Sequence, residues 1–321
     1  MSEQRLLVIG VGSELGSLST SLLERHAQFS DVLGIDVHPP RRRLRRTTFQ
    51  RVEHDDSTEM VRLIMAHRPD VIVHLGVWEP HGRLGTNDAQ RATGNYANAL
   101  CEALARLDGL SRLVIRSGLE VYGANRGALP DESSPMAPTS TYGHMLAELE
   151  QTAIAAAPAT ATVTRLRFAS VMGAHVPSPL GRLLRLPVIP GDVLSRAKFQ
   201  VLADDDAARA VVHAAMHGHH GVVNVAAAGP TNIAAVARAG RRLVAPVLPH
   251  TWSVASRLTT LAGAPLPDHV VELIRHGRTA TSLVNDSAYQ PTQTTSDVIS
   301  DLYSWESVVR VTAQRPMERV A

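Results

Sequence analysis

The stretch Arg5-Leu6-Leu7-Val8-Ile9-Gly10-Val11-Gly12-Ser13-Glu14-Leu15-Gly16 decides the fold predicted for this chain. Its aliphatic first half predicts a short buried strand, and the glycines predict a tight turn into a helix that begins near Glu14. The first turn of such a helix presents unpaired N–H groups and the positive end of the helix dipole. The stretch therefore predicts a pyrophosphate site lined by Gly10, Gly12, Ser13, Glu14, Leu15 and Gly16.

An acidic residue about 20 positions further on is the second signal of a dinucleotide site. Val32-Leu33-Gly34-Ile35-Asp36 predicts a second strand that ends in a carboxylate. Asp36 is placed to accept hydrogen bonds from the adenosine ribose hydroxyls, and its charge would repel the 2′-phosphate of NADP. NAD is therefore the expected cofactor. The basic run Arg41 to Arg46 keeps NADP as the alternative, because an arginine there could reach a 2′-phosphate.

Composition limits the class of protein. The 321 residues are 44% hydrophobic, enough to bury a substantial core. No apolar run approaches the ~20 residues that cross a bilayer, and the first strand leaves no room for a signal peptide. The formal net charge of +2 and the single cysteine, Cys101, favour neither nucleic-acid binding nor a disulfide framework. We expect a soluble cytoplasmic protein with no nucleic-acid or membrane partner.

Strand and helix patterns alternate through the first half of the chain. This alternation predicts an α/β protein with a Rossmann-type, doubly wound parallel sheet. A third strand is predicted from Phe49 to Val52, and the carboxylates of Asp55 and Asp56 follow it. One of them lies where it could meet the adenine ring of a bound dinucleotide.

A continuous apolar run from Val71 to Gly76 is typical of a central parallel strand. Its carboxyl end would face the cofactor, so Leu75, Gly76, Val77 and Trp78 are candidates for the nicotinamide side. The helix predicted after it carries Asn95, which is a further candidate contact, although asparagines inside helices usually have a structural role.

The pattern loses its regularity after Gly173, which predicts a smaller, mixed C-terminal substrate domain. We expect residues 1–173 to form the nucleotide-binding domain, with residues 199–227 returning to it, and residues 174–321 to form the substrate-binding region. The cluster His217-Gly218-His219-His220 contains no carboxylate or cysteine, so it predicts a polar turn and no metal site.

Several segments resemble successive landmarks of the extended short-chain dehydrogenase/reductase family, the NAD-dependent epimerase/dehydratases. They are the glycine loop, Asp36, the segment from Ser117 to Gly123, Tyr142, and residues 165–173 and 289–292. The chain is also similar to a divergent actinobacterial branch that is labelled UDP-glucose 4-epimerase-like, notably at residues 199–206. The resemblance covers essentially the whole chain and implies a nucleotide sugar, or a related hydroxyl compound, as the substrate.

The resemblance implies hydride transfer in which Tyr142 takes or gives the hydroxyl proton and contacts the cofactor. The family places a lysine four residues later and a serine or threonine before the Val-Tyr-Gly segment. Here these two positions are Leu146 and Gly118. Ser117 would replace the missing hydroxyl only in a rearranged turn, because neighbouring strand residues face opposite sides. The middle glycine of the family's loop is likewise replaced, by Ser13.

Three functions therefore remain open. The first is an oxidoreductase, epimerase or dehydratase with an atypical site, and the second is an NAD-binding protein without turnover. The third is different chemistry in the same pocket, with Glu120 as a candidate catalytic group beside Glu79, His81 and Tyr122. By analogy with relatives that dimerise through two helices beside the active site, we also expect a homodimer, which the apolar Leu100, Leu104 and Leu146 permit.

Overall fold

The computed structural model describes residues 3–81, 84–124, 129–176, 178–192, 195, 197–248, 251–283 and 289–305. Within these ranges the strands are, in chain order, Gln4–Ile9 (β1), Phe29–Asp36 (β2), Thr47–Arg51 (β3), Val71–His74 (β4), Arg112–Gly118 (β5), Thr162–Phe168 (β6), Ser170–Met172 (β7), Val188–Gly191 (β8), Val201–Ala203 (β9), Gly221–Val225 (β10) and Leu243–Pro246 (β11). The α-helices are Glu14–Leu23 (α1), Ser57–His67 (α2), Thr86–Leu104 (α3), Thr141–Ala156 (α4), Pro179–Leu184 (α5), Asp204–His217 (α6), Ile233–Ala239 (α7), Trp252–Leu261 (α8), Asp268–His276 (α9) and Thr295–Ser304 (α10). A 3₁₀ turn covers Leu119–Tyr122.

Seven parallel strands form the main sheet, in the order β10-β6-β5-β4-β1-β2-β3. The strand order changes direction at β1, where Ile9 pairs with Ile35 of β2 on one side and with His74 of β4 on the other. Open α/β sheets bind ligands outside the carboxyl ends of the strands at such a switch point. The predicted Rossmann-type fold is confirmed. Two small parallel sheets, β7 with β9 and β8 with β11, lie outside it.

Two apolar clusters hold the chain together. The first surrounds the main sheet, where the aliphatic side chains of β1 and β4 are buried because helices cover both faces. α6 and β10 contribute to this cluster although they come from the second half of the sequence. The second cluster packs α5, α7, α9 and α10 around β8 and β9. The division of the chain at residue 173 stays a prediction.

Leu100, Leu104 and Leu146, the positions expected to permit a dimer interface, are buried in the chain's own core. That part of the prediction is wrong, because α3 and α4 pack these leucines against their neighbours and the sheet, leaving no leucine surface to share. No helix in the described part of the chain has the length and apolar character needed to span a bilayer.

A buried ion pair fixes α4 against the end of the main sheet. Arg167 on β6 donates from Nε and Nη2 to the two carboxylate oxygens of Glu150 on α4, at 2.9 and 2.7 Å. The side chains are 3% and 0% exposed. The guanidinium also lies 4.8 Å from the centre of the Tyr122 ring, whose hydroxyl donates to Asn224 on β10. The pair thereby ties the second half of α4 to β6.

We expect Arg167→Met to lower the free energy of unfolding by about 3–5 kcal/mol, because Glu150 would keep a buried charge without a partner. Denaturant unfolding followed by circular dichroism measures the loss. Arg62→Met is the matched control, since it removes only an exposed pair with Glu59 on α2 and should leave the midpoint close to wild type. Equal midpoints for the two variants would contradict the role given to the buried pair.

Candidate cofactor cleft and active site

The turn between β1 and α1 passes close to the end of β4. Gly10 has φ +90°, and a Cβ on it would lie 2.5 Å from the backbone of Leu75 and Gly76. Ser13 caps α1: its Oγ accepts a hydrogen bond from Gly16 N at 2.9 Å and donates one to Gly10 O at 3.0 Å. The Ser13 hydroxyl therefore stabilises the turn itself.

The first two residues of α1 leave their N–H groups available to a ligand. Glu14 and Leu15 have no helical acceptor at this position, and neither N–H has another acceptor among the described residues. Two N–H groups at a helix N-terminus suit a diphosphate. The Glu14 carboxylate is buried and binds Arg42 at 2.8 to 3.0 Å, so Arg42 offsets a negative charge close to this position.

Asp36 at the end of β2 is buried beside the same turn. Its carboxylate accepts hydrogen bonds from Gly12 N at 2.9 Å and from His38 N at 3.0 Å. A Cβ on Gly12 would lie 2.8 Å from the Asp36 carboxyl carbon, so only glycine permits this approach. Burial raises the pKa of Asp36, and the two backbone donors counteract part of that rise. The arrangement fits the predicted ribose site.

Asp55 and Asp56 are exposed after β3. Asp56 is the N-cap of α2 and accepts a hydrogen bond from Glu59 N at 3.0 Å, which gives it a structural role. Contact with an adenine ring stays a prediction for both residues.

Sequence analysis did not predict an aromatic cluster formed by His54 after β3, Trp78 after β4 and Tyr96 on α3. The Trp78 ring lies edge-on to His54 and Tyr96, with centroids 4.7 and 4.9 Å apart. The Tyr96 hydroxyl donates to Val52 O at 2.7 Å, so the cluster is anchored to the end of β3. Burial raises the pKa of Tyr96, which keeps the phenol neutral.

The residues predicted for the nicotinamide side follow β4 directly. Leu75, Gly76 and Val77 are buried, and Val77 N donates to Leu75 O at 2.8 Å. A Cβ on Gly76 would lie 3.1 Å from the Tyr96 ring on α3. Asn95, the neighbour of Tyr96, is half-buried. The glycine turn, Asp36 and the end of β4 therefore border one cleft, and α3 adjoins it.

Tyr142 is the second residue of α4. Ser140 caps this helix by accepting a hydrogen bond from Gly143 N. The side chain is buried, and its ring packs on the His269 ring of α9 with centroids 4.8 Å apart. Burial raises the pKa of Tyr142 far above its ordinary value; the charges of Glu79 and Glu120 add to this rise, while Arg116 and Arg278 act in the opposite direction. Transfer of a proton at this phenol therefore depends on nearby positive charge.

The carboxylate of Glu120 occupies the space beside Gly118. A Cβ built on Gly118 would lie 2.2 Å from Glu120 Oε2 and 3.1 Å from Leu146 Cδ1. A serine or threonine at residue 118 would therefore collide with Glu120. Leu146, one helical turn after Tyr142 on α4, is fully buried.

Ser117 keeps a regular position in β5 and pairs in register with Arg167 of β6. Its side chain therefore lies on the face opposite Gly118, and the rearranged turn considered for it does not form. The hydroxyl is buried, and no partner for it exists in the part of the chain that the structure describes. The structure does not bring Ser117 together with Tyr142.

Arg278, which follows α9, holds Glu120 in place. Its guanidinium is 2% exposed and donates to Glu120 Oε1 at 2.9 Å, Glu272 Oε1 at 3.1 Å and His269 O at 3.3 Å. The second oxygen of Glu120 is the one beside Gly118. Sequence reasoning missed Arg278, because no motif spacing relates it to the tyrosine more than 100 positions earlier.

His269 is the second group that the sequence did not predict. Its Nε2 lies 3.1 Å from Glu79 Oε1, and its Nδ1 lies 3.7 Å from Asp268 Oδ1. Burial alone would lower the pKa of His269, but the two carboxylates outweigh it and raise the pKa to about 9. A charged imidazolium therefore stacks on Tyr142 at neutral pH.

Comparison with known proteins identifies one family. The family model described as "NAD dependent epimerase/dehydratase family" matches residues 6–226. An uncharacterized Mycobacterium tuberculosis protein is 25% identical over 312 residues, which cover 93% of this chain and 83% of that protein.

Two solved structures share the fold over almost the whole chain. UDP-glucose 4-epimerase of Thermotoga maritima, crystallised with UDP-glucose, has a TM-score of 0.69 at 17% identity and covers 94% of this chain and 98% of its own. WbmG of Bordetella bronchiseptica, in complex with NAD and UDP, has a TM-score of 0.65 at 18% identity and covers 95% of each chain. At these identities the similarity establishes the fold.

The stability that His269 contributes should depend on pH. Because its pKa is about 9 in the folded chain and about 6.5 when unfolded, its contribution is full below about 6.5 and is lost as the pH rises through about 9. The difference in unfolding free energy between wild type and His269→Gln should shrink across this window in denaturant titrations. His144→Gln, an exposed change on α4, is the control. A difference that does not change with pH would contradict the charged state.

Proposed function

Because this chain belongs to the NAD-dependent epimerase/dehydratase family, we propose that it is an NAD-dependent enzyme acting on a hydroxyl carbon of a nucleotide sugar or a related compound. The observation that carries the proposal is the carboxylate of Glu120, which Arg278 holds beside Gly118. It supplies a polar group where the family's serine or threonine is missing. The relatives crystallised with UDP-glucose, or with NAD and UDP, support this substrate class.

The cleft at the switch point fits NAD. The free N–H groups of Glu14 and Leu15 would hold the diphosphate, and Asp36 would hold the adenosine ribose. Gly76 and Val77 would border the nicotinamide. Bound NAD would supply reversible hydride transfer at the substrate carbon.

The chain's own residues would orient the substrate and move its proton. Tyr142 would exchange a proton with the reacting hydroxyl group. Glu120 would orient the substrate by accepting a hydrogen bond from a neighbouring hydroxyl group of the substrate through Oε2, the oxygen that Arg278 does not bind. Because Arg278 is itself buried and bound to three acceptors, Glu120 is held in one position, as efficient catalysis requires.

Binding of NAD without turnover is the second candidate function. It is favoured by Leu146, which puts an apolar side chain where the family's lysine would be, and by the raised pKa of Tyr142. Under this function the protein would bind NAD and leave nucleotide sugars unchanged. We also propose a homodimer, in line with the family resemblance.

Asp36→Ala should weaken NAD binding about tenfold to hundredfold, because a hydrogen bond to a charged group contributes about 1.5–3 kcal/mol. Isothermal titration calorimetry measures the change. Asp31→Ala is the matched control, since Asp31 is an exposed carboxylate at the opposite end of β2. Equal affinity in wild type and Asp36→Ala would remove Asp36 from the cofactor site, whereas absence of NAD binding in wild type would remove both candidate functions.

Tyr142→Phe should reduce turnover by about a hundredfold or more, since it removes the group that moves the proton. Single-turnover assays with a panel of UDP-sugars, followed by nicotinamide absorbance and by NMR of the sugar, measure this. Tyr303→Phe, remote from the cleft on α10, should retain the activity. If wild type binds NAD tightly yet converts no member of the panel, the second function is supported.

A further inference from the structure

Leu146 leaves Tyr142 without the positive charge that the family places one helical turn further along α4. A neutral, buried phenol is a poor proton acceptor unless a cation stabilises its ionised form. We propose that Arg116 on β5 supplies this cation, both to the Tyr142 hydroxyl and to the nicotinamide-side ribose of the cofactor. The inference rests on the proposed function and assigns the role of the cation to a residue outside α4.

The position of Arg116 on its strand gives the first support. Arg116 and Gly118 are two residues apart, and the register of β5 with β6 is unbroken from Arg112 to Gly118, so their side-chain positions share one face. That face meets Leu146, because a Cβ on Gly118 would lie 3.1 Å from Leu146 Cδ1. Arg116 therefore projects from the strand face next to the turn of α4 that lacks the lysine.

The end of the side chain gives the second support. Arg116 Nη1 donates to Val77 O at 3.3 Å, so the guanidinium reaches from β5 to the end of β4, where the nicotinamide is expected. Arg116 makes no other hydrogen bond with the described residues, and its side chain is half-buried. A guanidinium carries five N–H donors, so several remain for a ribose hydroxyl or the phenol oxygen.

The charges of the neighbouring groups give the third support. Arg278 is neutralised by Glu120 and Glu272, and the imidazolium of His269 faces Glu79 and Asp268. Arg116, in contrast, has no carboxylate within ion-pair distance in the described part of the chain. The positive charge of the Arg116 guanidinium is therefore not paired with a carboxylate among the described residues.

The electrostatic effects agree with this geometry. Burial raises the pKa of Tyr142, and Arg116 opposes that rise more strongly than Arg278 does. The same guanidinium helps burial to lower the pKa of His74 at the end of β4 to about 4, so His74 is neutral and does not compete as a cation.

The test compares NAD with ADP, which lacks the nicotinamide ribose, as calorimetric ligands. Arg116→Met should weaken NAD binding about tenfold and leave ADP binding unchanged. Leu146→Lys added to Arg116→Met should restore NAD affinity, because it returns a cation to the same region from α4. Arg91→Met, an exposed change on α3, is the control. Equal losses for NAD and ADP, or unchanged NAD binding in Arg116→Met, would overturn the inference.

A second measurement follows the phenol directly. In protein labelled with 3-fluorotyrosine, the ¹⁹F resonance of Tyr142, assigned by its loss in Tyr142→Phe, should begin to titrate at higher pH in Arg116→Met than in wild type. Arg116→Lys and the Arg116→Met/Leu146→Lys double variant should return it toward wild type. An identical titration in all four proteins would overturn the inference. Absence of NAD binding in wild type would instead remove the proposed function, so the two failures are distinguishable.

Discussion

The close approach of the β1–α1 turn to its neighbours is the constraint on which the rest of the structure depends. Gly10 contacts the backbone at the end of β4, and Gly12 contacts Asp36 and His38, at distances that admit no side chain. These contacts bring the ends of β1, β2 and β4 together and direct the first N–H groups of α1 into the space between them. The position of the proposed cofactor site follows from this one packing arrangement.

The sequence predicted this arrangement because its signals are local. A glycine turn after an aliphatic run, with a carboxylate at the end of the next strand, fixes both the geometry and the chemistry of the turn. The same reasoning identified Gly118 and Leu146 as positions that lack the side chains implied by the resemblance. It could not predict which residues surround Tyr142 and Glu120. His269 and Arg278 come from a distant segment and meet these two residues only through tertiary packing. The basic run after β2 is visible in the sequence, but nothing there indicates that Arg42 pairs with Glu14.

Around Tyr142 the chain brings together buried charged side chains from several elements. Such charges are stable only when they are paired, and here each carboxylate has a basic partner: Glu120 binds Arg278, and Glu79 faces His269. These positions depend on one another. Gly118 must lack a side chain because Glu120 fills that space, and Glu120 can be buried only because Arg278 is present. Gly118, Glu120 and Arg278 thus form one interdependent arrangement of the candidate site.

The location of His269 and Arg278 late in the chain has a consequence for biosynthesis. A ribosome releases the glycine turn and Asp36 more than 200 residues before it releases α9. During translation, the nucleotide half can therefore collapse first, as N-terminal segments generally do. Until α9 emerges, Glu120 has no counter-ion and Tyr142 has no aromatic cover. The surroundings of Tyr142 and Glu120 are therefore completed only after synthesis has passed residue 278.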